Sequence, residues 1–295
     1  MKRLIITIII FAWSMTLAGC GTTQNHAQIA ATTTPVYSFT SQLCTGTGIE
    51  VTKLVTENVS CLHDYSLKVS QMRVIESADL VVISGAGIDN FLNDALPSDK
   101  KTIDASLGVP LLSGDHHHGD GHKDENTHKD TYDPHIWLSP TNAKIMSQTI
   151  CQGLVEAYPQ HKQQFERNLL ELEARLNTLS EHAKAELSDL SGRDILTFHD
   201  GFVYMAKAFD LNIIHAIEEE SGSEASAAEL IEICRIIEDH QLNCIFTERN
   251  GSSAAASIIA NQTGVSVYSL DMAMSGDDYF DAMYDNITTL KEALE

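Results

Sequence analysis

A chain of 295 residues with 43% apolar content holds about two globular domains of roughly 150 residues each. Its 41 acidic and 19 basic side chains leave a formal net charge of −22. That argues against nucleic acid as a partner, because phosphates repel an anionic surface, and it suits a protein that handles cations.

Residues 1–19 read as a targeting segment. Lys2 and Arg3 form a short basic start, residues 4–13 an apolar run, and Leu17-Ala18-Gly19 places small residues before Cys20. The pattern resembles a bacterial lipoprotein signal, with cleavage before Cys20 and a lipid thioether on its sulfur. It is too short and wrongly flanked for a membrane-spanning helix. An uncleaved anchor or a plain signal peptide is the alternative. Cleavage removes Lys2 and Arg3 and no acidic residue, taking the net charge from −22 to −24. Cys44, Cys61, Cys151, Cys234 and Cys244 then remain, an odd number with no CxxC pair. A cysteine zinc site is therefore unsupported. Pairings Cys44–Cys61 and Cys234–Cys244 stay open beside buried free thiols.

Residues 20–34 are polar, Thr-rich and aperiodic after Cys20, and read as a flexible tether in which His26 is solvated. From residue 35 short apolar runs alternate with helical stretches. Strands are expected at 35–39, 50–55, 78–84 and 102–104, with helices near 70–77 and over IDNFLNDAL, residues 88–96. This βαβ rhythm implies a parallel sheet, giving an N-terminal α/β lobe over 35–158. A helix follows, capped by Ser139 with Pro140 in its first turn and ending near Tyr158-Pro159. Residues 159–190 form the longest helical pattern, with Phe165, Leu169, Leu172, Leu176 and Leu179 at steps of three and four and no interior Gly or Pro. At 1.5 Å per residue it runs to about 40 Å, the length of a connector between lobes; an ordinary core helix is the alternative. The rhythm restarts in a C-terminal α/β lobe over 191–295. Its expected strands are 194–198, 212–217, 243–247 and 265–270, and its closing helix from Tyr279 docks back on the first lobe. The expected fold class is α/β: two lobes, each a parallel β-sheet flanked by helices, joined by one long rigid helix.

Six of the thirteen histidines fall between Asp115 and Pro140. His116, His117, His118, His122 and His128 lie in a charged loop, 115–130, whose composition signals auxiliary metal binding. His135 stands in the stiff DPHIWLSP block. In doubly wound sheets ligands bind beyond the carboxyl ends of the strands. His63 in the loop after EVTKLV, His135, His199 directly after DILTF and Asp271 directly after VSVYSL occupy such places. Three imidazoles and a carboxylate make a tetrahedral set for Zn²⁺. Each has a plainer alternative: a loop turn at His63, a packed core histidine at His135, helix or turn caps at His199-Asp200 and Asp271.

LAGC, CLHDYSL, DPHIWLSP, ILTFHDGFVYMAKAF, IEEESGSEASAAEL, IFTERN and YSLDM together resemble the zinc-type solute-binding lipoproteins of bacterial metal ABC transporters (cluster A-I, also called cluster 9). The resemblance spans residues 35–295. It implies two lobes joined by a rigid helix, with the metal between them on His63, His135, His199 and Asp271. A histidine at the third position is the zinc-type choice, where a glutamate marks the manganese type. It further implies a cognate permease and ATPase as partners and a place outside the cytoplasm, on the outer face of the cell membrane through the lipid on Cys20. Val69 stands where the family commonly has proline, which leaves the His63 loop less rigid. His215 has no family role and reads as structural.

No nucleophile with an activating base is evident, and four protein ligands close a zinc site where a hydrolase keeps one position open. The reading is therefore a carrier of Zn²⁺, not an enzyme. Each imidazole must be deprotonated to bind, so affinity falls below roughly pH 6 to 6.5. Asp64, Asp133 and Asp200 are the sequence neighbours placed to hold the far ring nitrogens. Small lobe movements, a monomer and no nucleic acid are expected. The alternatives are a manganese or iron importer component, a lipid-anchored zinc hydrolase and an adhesin.

Overall fold

The computed structural model describes residues 28–57, 59, 62, 65–113, 132–217, 226–251, 253–276 and 278–295. The signal segment, Cys20, His26, Cys61, His63, Asp64 and the five loop histidines His116, His117, His118, His122 and His128 lie outside the described residues.

Two four-stranded sheets, parallel throughout, carry the fold. The first orders β2 (Glu50–Lys53), β1 (Gln28–Ala31), β3 (Leu80–Ile83) and β4 (Thr102–Asp104). The second orders β6 (Asn212–Ala216), β5 (Asp194–Thr197), β7 (Cys244–Glu248) and β8 (Ser266–Leu270). In each sheet the central strands are apolar runs buried on both faces, as helix-covered parallel strands must be.

The first strand corrects the sequence reading. Residues 28–31, assigned above to the tether, form β1 at the centre of the sheet, with Ile29, Ala30 and Ala31 fully buried. The three threonines after it are equally buried, their polar atoms placed at the strand's carboxyl end. Residues 35–39, read as a strand, belong to helix α1 (Thr34–Leu43), where Pro35 in the first turn lacks no needed hydrogen bond. Residues 88–96 hold only a 3₁₀ turn, Asn90–Leu92. Gly85, Ala86 and Gly87 take positive φ, and Gly85 N donates to Asp89 Oδ2 at 2.7 Å, so a local side-chain loop competes with helix there.

Helices α2 (Val69–Ser77) and α3 (Pro140–Ala157) complete the first lobe. Then α4 (Lys162–Glu186) runs 25 residues, about 38 Å. It is shorter than the 159–190 pattern because both ends tighten into 3₁₀ turns, Pro159–His161 and Ser188–Leu190. Its buried stripe is Phe165, Asn168, Leu172, Leu176, Leu179 and Ala183, and Asn168 Nδ2 donates to the orphan carbonyls of Leu43 and Thr45 behind α1. The second lobe adds α5 (Val203–Ala208), α6 (Ala227–Asp239), α7 (Ala254–Thr263) and α8 (Tyr279–Leu294). Among the described residues no helix is long and apolar enough to cross a membrane. Cys44, Cys151, Cys234 and Cys244 are free thiols, so Cys234 and Cys244 do not pair.

One buried apolar cluster passes from Phe39 and Trp137 in the first lobe through Leu172 on α4 to Phe246 and Ile287 in the second. Helix α8 docks on the first lobe as expected. Tyr279 meets Phe39 edge-on at 4.9 Å, and its hydroxyl donates to the Trp137 carbonyl at 2.8 Å. Trp137 Nε1 donates across to Met272 O at 2.8 Å, and Thr34 Oγ1 to Met274 O at 3.0 Å. The carboxyl ends of both sheets are thereby stitched face to face.

Candidate metal centre

The site grows from two strand ends and one rigid turn. His135 sits behind Asp133-Pro134 and before the 3₁₀ turn Ile136–Leu138, 2% exposed. Asp133 Oδ1 accepts both the His135 backbone N–H and ring Nδ1, each at 2.9 Å. Proline restricts the backbone on one side and the carboxylate clamps ring and peptide on the other, so the imidazole has one orientation. His199 follows β5 directly and is held at Nδ1 by Glu248 Oε1, 3.2 Å away at the end of the neighbouring strand β7.

A carboxylate only accepts, so Asp133 and Glu248 favour the tautomer that carries the proton on Nδ1. The two Nε2 atoms face one another at 3.4 Å with the rings nearly perpendicular. A tetrahedral zinc with bonds of about 2.05 Å separates its ligands by about 3.3 Å, the spacing found here. Gly201 makes room for the pair: a Cβ there stands 2.7 Å from His135 Nδ1, 2.7 Å from His199 Cδ2 and 2.5 Å from Met272 Cε.

Asp271 precedes Met272, whose Cε lies with both rings around Gly201. It is 2% exposed, and Asn286 on α8 grips its peptide twice, accepting from its N–H and donating to its carbonyl at 2.7 Å each. Burial pushes its carboxyl above the ordinary range. The Arg249 guanidinium and the amides of Ala273, Met274 and Ser275 pull it back. Arg249 Nη1 stands 3.4 Å from Asp271 Oδ2. Among the described residues no three His, Cys, Asp or Glu side chains gather as a metal cluster, so the structure joins His135 to His199 and does not bring Asp271 into that pair.

His63 lies outside the described residues, but its flanks are pinned. Tyr65 OH donates to Glu57 Oε2 at 2.6 Å, Lys68 pairs with Glu57, and Gln71 Nε2 reaches Tyr65 OH at 2.5 Å and Leu54 O at 2.8 Å. The Lys68 and Tyr65 hydrogen bonds pull the Glu57 carboxyl down to about 2, and burial with Glu57 pushes Tyr65 up to about 12. Gln71 Oε1 also accepts from Lys68 N at 2.8 Å, closing the start of α2 where Val69 replaces proline. The His-rich tract has its two ends joined by a Ser113–Tyr132 bridge, and Asp133 N donates to Leu112 O at 3.1 Å.

Of the three sequence neighbours, Asp133 holds its histidine. Asp200 Oδ1 lies 3.7 Å from His199 Nε2, too far for a hydrogen bond, and Asp64 lies outside the described residues. Glu248 and Arg249 were missed. Both stand in the quoted IFTERN at a strand's carboxyl end, the place the strand-end rule inspects.

The family model described as "ZnuA: Zinc-uptake complex component A periplasmic" matches residues 29–293. The chain belongs to the ZnuA family. As a ZnuA-family member it is a metal-binding, solute-binding component of an ABC uptake system and works outside the cytoplasm with permease and ATPase partners. It is not an enzyme. A putative metal-binding protein of Treponema pallidum is 29% identical over 262 residues, 86% of this chain and 83% of that protein. Zinc-binding protein AdcA of Streptococcus pyogenes is 28% identical over 305 aligned positions, 96% of this chain, which spans only 59% of that relative. A crystal structure of ZnuA superposes with a TM-score of 0.79 at 26% identity, over 92% of this chain and all of that one. Zn(II)-bound AdcA from Streptococcus pneumoniae gives 0.75 at 28% identity, over 91% of this chain and 57% of that one.

Proposed function

We propose that the chain is a lipid-anchored, extracytoplasmic zinc carrier that delivers Zn²⁺ to its ABC importer, holding the ion on His63, His135, His199 and Asp271. The observation that carries the reading is the facing Nε2 pair of His135 and His199, each fixed at Nδ1 by a carboxylate. Such a pair is preorganised for one cation. The zinc-binding names of AdcA and the zinc-bound ZnuA and AdcA structures point to the same metal. Cys20 carries the lipid after removal of residues 1–19; the name zinc-binding lipoprotein given to the Streptococcus pneumoniae AdcA supports this. The tract 115–130 serves as an auxiliary collector, its two ends rooted beside Asp133. The folded units are the lobes up to residue 158 and from 191, with 159–190 between them.

A manganese-type or nickel-type reading has one specific observation in its favour. The binding protein FpvC, 25% identical, is solved with Ni²⁺ and with Mn²⁺. Competitive titration of Zn²⁺, Mn²⁺, Ni²⁺ and Fe²⁺ at fixed pH decides between them. The zinc reading expects one tight Zn²⁺ site that the others do not displace, and an unfolding temperature that rises with free zinc, by about 2.7 kcal/mol of stability at 100 times Kd. Preference for Mn²⁺, Ni²⁺ or Fe²⁺ overturns it. Deleting 115–130 removes weaker sites and keeps the tight one.

A further inference from the structure

Among the described residues, Arg249 is the one cation in contact with the buried carboxylate assigned above to the cargo. Its backbone is fixed: N donates to Leu270 O at 2.7 Å, and Asn250, in the left-handed region, ties its side chain to Ser275 Oγ at 2.9 Å. Its side chain is half-exposed and shared. Nη1 lies 3.4 Å from Asp271 Oδ2 and Nη2 lies 3.4 Å from Asp285 Oδ2 on α8. The two carboxylates differ sharply in setting. Asp271 is buried, whereas Asp285 is 60% exposed.

A buried carboxylate without a counter-charge is unfavourable, so in the empty protein Arg249 supplies the charge that Asp271 requires. A divalent ion on Asp271 takes over that role and competes directly with the guanidinium for the same carboxylate oxygen. Asp285 offers the guanidinium a second partner one step toward solvent, without moving the backbone. We propose that Arg249 is a placeholder cation: it competes with the metal for Asp271, retires to Asp285 when the metal binds, and returns when the metal leaves. Loading is then an exchange of cations at one carboxylate. The exchange lowers affinity, speeds release and keeps the empty site from collapsing. This inference rests on the assignment of Asp271 as a ligand.

The test compares the full chain with R249A, R249K, D285N and D271N, using zinc affinity by chelator competition, zinc dissociation into excess EDTA, and thermal unfolding with and without zinc. R249A should bind zinc roughly three- to tenfold more tightly and release it correspondingly more slowly, the range expected for a half-exposed ion pair. Its empty form should melt a few degrees lower while its loaded form melts as wild type. D285N should act in the opposite direction, weakening zinc severalfold because Arg249 loses its second partner. R249K keeps the charge and should fall between R249A and wild type. Opposite signs from two touching residues distinguish competition from general damage. R249A binding more weakly than wild type, or within twofold of it, overturns the proposal. Should empty R249A not fold, D285N decides: unchanged or tighter zinc binding overturns it. D271N that binds as tightly as wild type overturns the ligand assignment and this inference with it, and a wild-type chain that binds no divalent metal overturns the function itself.

Discussion

A methyl group at Gly201 should damage the metal site more than it damages the fold. In Gly201→Ala the new Cβ stands 2.7 Å from His135 Nδ1 and His199 Cδ2, where ordinary contact begins at about 3.4 Å. Each ring must therefore give by about 0.7 Å, and Met272 Cε by about 0.9 Å. Neither ring is free to do so cheaply, because Asp133 and Glu248 hold their Nδ1 atoms. Metal–ligand distances tolerate about 0.2 Å, so a shift of this size takes the Nε2 pair out of register. We expect zinc affinity to fall about 10- to 100-fold, equivalent to about 1.4–2.7 kcal/mol, as for loss of a supporting partner. Overpacking costs the empty fold about 1–3 kcal/mol. Gly153→Ala is the matched control. Its Cβ meets the Ile103 side chain at 2.5 Å, between α3 and β4 and outside the site, so stability should fall comparably with no change in affinity. Chelator competition and thermal unfolding read both quantities. G201A binding within twofold of wild type, or G153A losing as much affinity as G201A, would refute the reasoning.

The carboxylates behind the histidines give a second expectation. Asp133→Asn and Glu248→Gln each replace a charged acceptor on an Nδ1 atom and should each weaken zinc about 10-fold or more, measured by the same competition; equal binding by both variants would show that the rings need no such support. The Glu57 clasp predicts a pH dependence. Its folded pKa, about 2, lies below the ordinary 4.5, so the stability it adds is present above 4.5 and lost as pH falls from there toward 2. The wild-type advantage over Glu57→Gln in denaturant unfolding should therefore be full at pH 6 and shrink through that window; a gap independent of pH would contradict the hydrogen-bonded carboxylate.

Most of the second lobe was legible because its strands are flanked by plain signals, such as the Ser226 capping box that opens α6 and Gly264 in the left-handed conformation that closes α7. The start of the first lobe was not. Four residues, QIAA, carry no alternation to read, and the threonines that follow have a linker's composition, although they are buried at a strand's end. The β-branched Val36 suggests a strand locally, whereas the segment is a helix started by Pro35 and packed against α3, α4 and α8. At the site, His135 and His199 were found because strand ends and a proline-locked turn advertise themselves. Glu248 escaped because a glutamate ending a buried strand acquires meaning only when β7 and β5 are known to be neighbours, which register alone reveals.

The docking of α8 on the first lobe carries a cost in time. Tyr279 N donates to Ser38 Oγ at a sequence separation of 241, and its ring closes the apolar layer around Phe39. Contacts this distant in the chain are slow to form, because a long loop must close before they return any stabilisation. The first lobe, though made first, therefore waits for residues near the far end of the chain before its own core is sealed. A ribosome-bound or truncated chain that stops before α8 should leave Phe39 and Trp137 open to water, so the metal-binding face and the folded state are completed by the same late event.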